Sequence, residues 1–501
     1  MGTANQMNFD AFDGLVQEVK TIAQNAVNEG TAVHLVEKEL LAKLLQLGHS
    51  ALAAMFQSAG TGNVGETLNH PDHKKPLIRY PNLSTRAYRS IFGDFELSRY
   101  LYGKAPSTKS LAIPLDEHFG LPPTRFSLLL ESWVSQLSTS EAIHEAMDKL
   151  NNILGIRIRV DSAERILSRT GNSAEWFQDH LPVVEVAAER ELLVESTDNK
   201  GIVMRHKPAI EKQPVGGPAN RVGPVPDRKQ MATLCGCYSV DRHIRTPQQV
   251  LDALFHVETL EELSVTRPRP SQARFQGCLS RNQEHPDDSL NGEVSAIAWL
   301  SEHVQDRRQI GQELINLNDG ELSIWDNIAY AQEQNGRVDV LDLIHAIQRV
   351  WDASAIFKPS DVIGFAKGHI RSILNGNVKS VIQSFRWQAT HLHLAATPLR
   401  NIERICSFLE RNANKMKYDE YLSKGYPIAT GFIEGACRHV IKDRMERSGM
   451  RWSVMGAQHM LYLRCIDSGG LWSAFNTMHQ QKVLEIYGVR TNYRNSFTLA
   501  A

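Results

Sequence analysis

The chain has 501 residues, of which 42% are hydrophobic and 22% charged, and its formal net charge is -1. At roughly 150 residues per domain this exceeds one compact core, and the composition excludes a disordered or fibrous chain. No apolar run reaches the roughly 18 residues of a membrane span, and "MGTANQMNFDAFDG" lacks the charged-then-apolar start of a secretory signal, so a cytoplasmic protein is expected.

From Ala11 to Ala59 apolar residues recur at helical spacing, predicting one long helix or two shorter ones before the Gly-rich linker "SAGTGNVG". "TRAYRSIFGDFELSRYLYG" reads as a hairpin turning at Gly93-Asp94. After "PLDE", the stretch from Leu137 to Gly171 predicts two helices, with Ser140 and Asp161 as N-caps, a pattern compatible with helix-turn-helix but more often plain helical packing. A domain boundary is expected near residue 182. Beyond it "ERELLVESTDNKGIVMR" predicts a strand that ends on Asp198 and turns at "DNKG". A long Pro- and Gly-rich loop leads to a second strand, "MATLCGCYSV".

The stretch "TRPRPSQARFQGCLSRNQEHPDDSLNG" reads as irregular, and a helix follows at "EVSAIAWLSEHVQDRR". "QELINLNDG" predicts a strand running into a turn at Asp319-Gly320, then "ELSIWDNIAYAQEQ" a helix and "RVDVLDLIHAIQRVWDAS" a strand passing into another helix. Helical periodicity dominates from Trp351 to Lys424. Last comes "GFIEGACRHVIKDRMERSGMRW", a helix opened by Glu434. The six cysteines are scattered, which argues for reduced thiols. Cys235 and Cys237 form a C-x-C in a strand-like run where neighbouring side chains alternate faces, so no metal pair is expected.

Two carboxylates thus sit at strand ends and a third at a helix start. The carboxyl ends of strands in an α/β sheet line a shared crevice, where Asp198 and Asp319 can meet and a packed helix can deliver Glu434. Clustered carboxylates need cations, and oxygen-only ligands suit Mg2+ or Mn2+; two such ions serve in-line phosphoryl displacement. Taken singly, Asp198 and Asp319 read as turn residues and Glu434 as a complement to the helix dipole. Behind Glu434, Arg438 and Lys442 follow at i+4 and i+8, and Arg444, Arg447 and Arg451 extend the cationic surface. Between Arg400 and Arg464 there are 12 Lys or Arg against 7 Asp or Glu, a charge excess suited to a phosphate backbone.

The set "STDNKGIVM", "NDGELSIW", "LDLIHA" and "GFIEGACRHVIKDRMERSGMRW" resembles bacterial insertion-sequence transposases of the DDE class, in the Mutator-like branch with a ribonuclease H-like catalytic domain, over roughly residues 185 to 470. The resemblance implies Asp198, Asp319 and Glu434 as catalytic residues holding two Mg2+ (or Mn2+) ions, with Asp198 bridging them. It implies a supporting role for Asp342 and His345, which otherwise read as ordinary packing residues, and DNA contacts from Lys200, Arg438, Lys442, Arg444, Arg447, Arg451 and Trp452. It identifies the helical block with the all-α insertion of that branch. Relatives often place cysteines beside "PLDE"; this chain has none there, which argues against a zinc ribbon.

The expected architecture is therefore α/β, a ribonuclease H-like catalytic domain over 183–475 with an all-α insertion at about 351–424. A mainly helical DNA-binding region precedes it, made of a helical segment and linker (1–74) and a hairpin plus helical region (75–182), and a C-terminal tail covers 476–501. The implied activity is metal-dependent DNA strand cleavage and strand transfer at the terminal inverted repeats of a mobile element, by a homo-oligomer, at least a dimer, that associates with the nucleoid when bound to DNA. The rivals are a structure-selective nuclease of the same fold and a non-catalytic, transposase-derived DNA-binding regulator.

Overall fold

A computed structural model describes residues 10–105, 109–205, 229–256, 267–280, 291–332, 336–358, 360–447 and 449–485. The long loop expected before the second strand, over 206–228, and the tail from residue 486 lie outside them. The chain divides into two compact units, one running to Thr170 and resuming at Ser473, the other spanning Gly171–Trp472. Among the described residues no helix is long and apolar enough to cross a membrane.

In the first unit the N-terminal periodicity resolves into two helices, α1 (Asp10–Glu29) and α2 (Val33–Ser58), separated at Gly30, whose φ of +64° suits only a residue without a side chain. A small sheet of β1 (Thr67–Leu68), β2 (Leu77–Arg79) and β5 (Tyr102–Gly103) flanks the hairpin of β3 (Ser84–Ser90) and β4 (Gly93–Arg99). The hairpin turns at Ile91-Phe92, not at Gly93-Asp94: Ser90 pairs with Gly93, and Gly93 takes the strained backbone at φ +124° as the first residue of β4. "PLDE" opens α3 (Pro114–Phe119) and is structural. Asp116 is buried against Arg86 at 2.8 Å and Arg99 at 3.6 Å, clamping the helix to the hairpin.

Three helices follow, α4 (Leu128–Ser140), α5 (Ile143–Leu154) and α6 (Val160–Gln178), and both expected N-caps are corrected. Ser140 is the last residue of α4; α5 starts after Ala142, whose amide donates to Glu145 Oε2 at 3.3 Å. Asp161 lies inside the first turn of α6, paired with Arg159 at 3.3 Å and Arg165 at 3.6 Å. The side chain four residues on supplies a partner that a cap position would not.

The second unit is built on β6 (Leu192–Val203), β7 (Lys229–Val240), β8 (Ser271–Leu279), β9 (Glu313–Asn318) and β10 (Arg337–Leu341), in the order β10-β9-β6-β7-β8. β6, β7 and β8 are antiparallel neighbours, and β9 and β10 run parallel to β6, a mixed α/β sheet. Strand β8 corrects the irregular reading of that stretch. Its Arg274 and Gln276 are polar yet buried, and Gly277 leaves room for Leu461 of α17 (Val454–Ser468) at 3.3 Å from a hypothetical Cβ.

The connections and flanks are α7 (Pro247–Leu254), α8 (Gly292–Arg307), α9 (Leu322–Ala331) and α10 (Leu343–Phe357). Next comes the helical block α11 (Val362–Leu374), α12 (Val378–His391), α13 (Ala396–Arg411) and α14 (Tyr418–Ser423). One apolar core joins Leu192 and Val194 of β6 to Val350 of α10 and to Ile370, Phe385 and Leu409 of that block. The opposite face buries Leu193, Cys235 and Cys237 against Ala296 and Leu300 of α8. Here too the reading needs correction: residues two apart in a strand share a face, so Cys235 and Cys237 point the same way. They are nonetheless free thiols sealed in that core, where burial pushes Cys237 up to about 11. The basic segment comprises α15 (Gly431–Ala436), a π-helical turn over Cys437–Lys442 and α16 (Asp443–Met445); α18 (Trp472–Leu484) closes the described chain.

Candidate active site

Asp198 does not end its strand. β6 continues to Val203 because its antiparallel pairing with β7 persists, with Asp198 opposite Leu234. What ends is the parallel pairing with β9, whose last partners are Glu195 and Asn316. Beyond that point the strands part, and Asn318 bridges them: its Oδ1 accepts the Thr197 amide at 2.6 Å, and its Nδ2 donates to Asn316. Asp198 is therefore fixed at the mouth of a cleft between strands. Asn316 and Asn318 escape a pattern reading because they sit inside the apolar run "LINLN"; their alternation is the signal that was available.

Asp319 follows directly. Its Oδ1 accepts the Glu321 amide at 2.9 Å, and its carbonyl accepts Trp325 Nε1 at 2.8 Å, so the turn is held from both sides. Gly320 packs under the Phe408 ring of α13, leaving no room for a Cβ. Burial raises the Asp319 carboxyl above the usual range, opposed by the Glu321 amide and His345, while the charges of Asp198 and Asp342 push it further up.

Asp342 caps α10. Fully buried, it receives the His345 amide at 2.8 Å and His345 Nδ1 at 2.7 Å on Oδ2, and the Thr430 amide at 2.8 Å on Oδ1. Thr430 in turn donates its hydroxyl to Glu434 Oε1 at 2.8 Å. Thr430 also went unread, although it lies four residues before Glu434, the spacing at which helical side chains meet. Glu434 remains half-exposed, 4.0 Å from His345 Nδ1. The hydrogen bond that His345 donates to Asp342 raises its imidazole, burial opposing it.

These elements meet in one cavity of about 610 Å³, lined among others by Asp198, Lys200, Asp319, His345, Glu434 and Arg438. Lys442 and Asp443 line it as well. The three expected acids thus face a common space. They are not drawn tight: among the described residues, the group of three donors whose ligand atoms come within 4.8 Å of one another is Asp342, His345 and Glu434. Both Asp342 oxygens there are already occupied by its own chain's donors.

The donor set fits a hard divalent ion. Asp198 Oδ2 is buried, with the Lys200 ammonium at 3.2 Å and the Cys437 side chain beside it. Burial, with the charges of Asp198 and Asp342, destabilises the Asp319 anion, a cost that a bound cation would offset.

The cationic residues separate into two groups. Lys200, Arg438 and Lys442 line the cavity. Arg444, expected on the surface, is buried at 1% exposure, with its guanidinium 4.9 Å from the Trp452 ring and Nη1 3.0 Å from Met450 Sδ. The π-turn shifts the helix register, which moves Arg444 inward. Trp452 is likewise structural: it bridges backbone to Val203 and Arg205 and donates Nε1 to Met445 O at 3.1 Å. Arg447 and Arg451 are exposed. No protein-family model matches the chain, and no characterised protein matches it either.

Proposed function

We propose that this protein is a DNA transposase whose second unit is a ribonuclease H-like catalytic domain carrying an all-α insertion. One observation carries the reading: Asp198, Asp319 and Glu434, from two strands and one helix far apart in sequence, face a single cavity flanked by Lys200, Arg438 and Lys442. The α/β sheet and the helical block between β10 and the Glu434 helix support this reading.

Asp198, Asp319 and Glu434 would hold Mg2+ or Mn2+, which when bound activates the attacking oxygen and stabilises the leaving one in phosphodiester exchange. The chain's own residues prepare for this. Asn318 and the Glu321 amide orient the two aspartates, and Asp342 and Thr430 orient Glu434. Arg438 and Lys442 attract and align the phosphate backbone along the same wall.

The test is incubation of supercoiled plasmid carrying the element's own ends, with Mg2+ and with chelator. Metal-dependent cleavage followed by joined products supports a transposase. Cleavage without joining selects the nuclease, and DNA binding without cleavage selects the regulator.

A further inference from the structure

The cleft between β6 and β9 is held at two heights. At its base, where the parallel pairing stops, Asn318 accepts the Thr197 amide at 2.6 Å. One residue past Asp198 a second asparagine spans the opening. Side chains alternate along a strand, so Asn199 leaves β6 on the face opposite Asp198. There its Nδ2 donates to Glu293 Oε2 of α8 at 2.8 Å and to Glu321 Oε2 at 3.2 Å. Its Oδ1 accepts the hydroxyl of Thr233, its cross-strand partner on β7, at 2.5 Å.

Both far ends of these bonds are anchored. Glu293 accepts Asn327 Nδ2 at 2.7 Å and the Ser323 hydroxyl at 3.2 Å, which fastens the first turn of α8 to α9. Glu321 is the residue whose amide holds Asp319 Oδ1 at 2.9 Å. A single side chain thus connects the backbone beside Asp198 to the backbone that holds Asp319. An amide suits this position because it is neutral and brings two N–H donors to two carboxylates. An ionised aspartate would donate nothing and would add a charge beside Asp198, Glu293, Asp319 and Glu321.

We propose that Asn199 is a positioning residue, a strut that sets the separation of Asp198 and Asp319 and with it the affinity of the pair for a divalent ion. The proposal rests on the metal-site reading of those two acids and deepens it. Asn318 fixes the cleft where the strands part, and Asn199 fixes it beyond the ligands. Losing Asn199 therefore leaves the strand pairing in place and lets the two carboxylates drift apart, and supporting partners of this kind govern metal affinity by about 10–100-fold.

The test counts Mn2+ bound to the full-length protein without DNA, from the free-ion signal in electron paramagnetic resonance. Asp198→Asn defines which ions belong to the cavity, because surface carboxylates still bind in that variant. Equal binding by wild type and Asp198→Asn would remove the metal reading itself, and the strut with it. Where the wild type binds more, Asn199→Ala is expected to weaken those ions about tenfold or more, with an unchanged far-UV circular dichroism spectrum. Asn199→Asp should weaken them too. Adding Glu321→Gln to Asn199→Asp restores an amide-to-carboxylate bond with the roles exchanged, and should recover most of the loss. If Asn199→Ala does not fold, Asn199→Asp and the exchanged pair decide. Affinity equal to or tighter than wild type in the Asn199 variants overturns the strut, and so does a loss that the exchanged pair fails to recover.

Discussion

Asp342 and Glu434 are linked through a single residue, for Thr430 donates its amide to one and its hydroxyl to the other, each at 2.8 Å. A buried cap on α10 therefore sets the rotamer of an acid on a different helix. Asp342→Ala should lose about 1–2 kcal/mol as an N-cap and release His345 and Thr430 together. Thr430→Val keeps the shape and removes only the bond to Glu434. It is expected to leave the thermal midpoint nearly unchanged while slowing metal-dependent strand cleavage about tenfold, with DNA binding intact. Equal cleavage by Thr430→Val and wild type would show that the link positions nothing.

The three acids carry the sharpest expectation. Asp198→Asn, Asp319→Asn and Glu434→Gln preserve size and should each abolish strand cleavage while end binding persists, because an amide cannot offer a hard ion a full charge. Cleavage assays paired with gel retardation check this. Near-normal cleavage by any one of the three removes that residue from the site.

The buried and exposed arginines of the basic segment should behave differently. Arg438→Gln with Lys442→Gln removes cavity-lining charge, so DNA affinity should fall and the salt slope drop by about 1.8, with folding unaffected. Arg444→Gln instead loses the Trp452 stacking and a buried partner set, and is expected to cost about 2–3 kcal/mol in urea denaturation. A salt slope reduced by Arg444→Gln without loss of stability would return that residue to the DNA surface.

What the sequence shows of this site follows from where each signal lives. Asp198, Asp319 and Glu434 are flagged by flanking glycines and by chain order, both of which are local. Arg444 was grouped with the cationic surface by its charge and neighbours alone, and nothing in "CRHVIK" announces the π-turn that precedes it. Strand β8 was missed because Arg274 and Gln276 make it look exposed, whereas both are buried and α8 and α17 pack against the strand. Asn316, Asn318 and Thr430 act through partners remote in sequence, Thr197 and Asp342 among them, and such pairings have no local pattern.

Gly320 offers a steric test of the turn that carries Asp319. A Cβ there overlaps the Phe408 ring, so Gly320→Ala should destabilise by about 1–3 kcal/mol. Phe408→Ala is destabilising on its own, but it vacates the space the new methyl needs. The double variant should therefore be more stable than the sum of the singles by about 1 kcal/mol or more in denaturant unfolding. Simple additivity would mean the Asp319 turn moves freely of α13.

Glu195, three residues before Asp198 on β6, gives a pH signature of folding. It is fully buried, one oxygen accepting Gln332 Nε2 at 2.8 Å and the other without a hydrogen-bond partner, and burial raises its carboxyl from 4.5 to about 7. Below about pH 4.5 the group is protonated in both folded and unfolded chains and imposes no penalty. As pH rises through 7 the folded state must either keep a proton the unfolded chain has lost or bury a charge, so stability falls, by up to about 3 kcal/mol for a shift of this size. Glu195→Gln stays neutral throughout. Its stability relative to wild type should therefore grow between about pH 5 and pH 8 by roughly 2–3 kcal/mol in parallel urea titrations, whereas parallel profiles would mean that Glu195 ionises in the folded chain without cost.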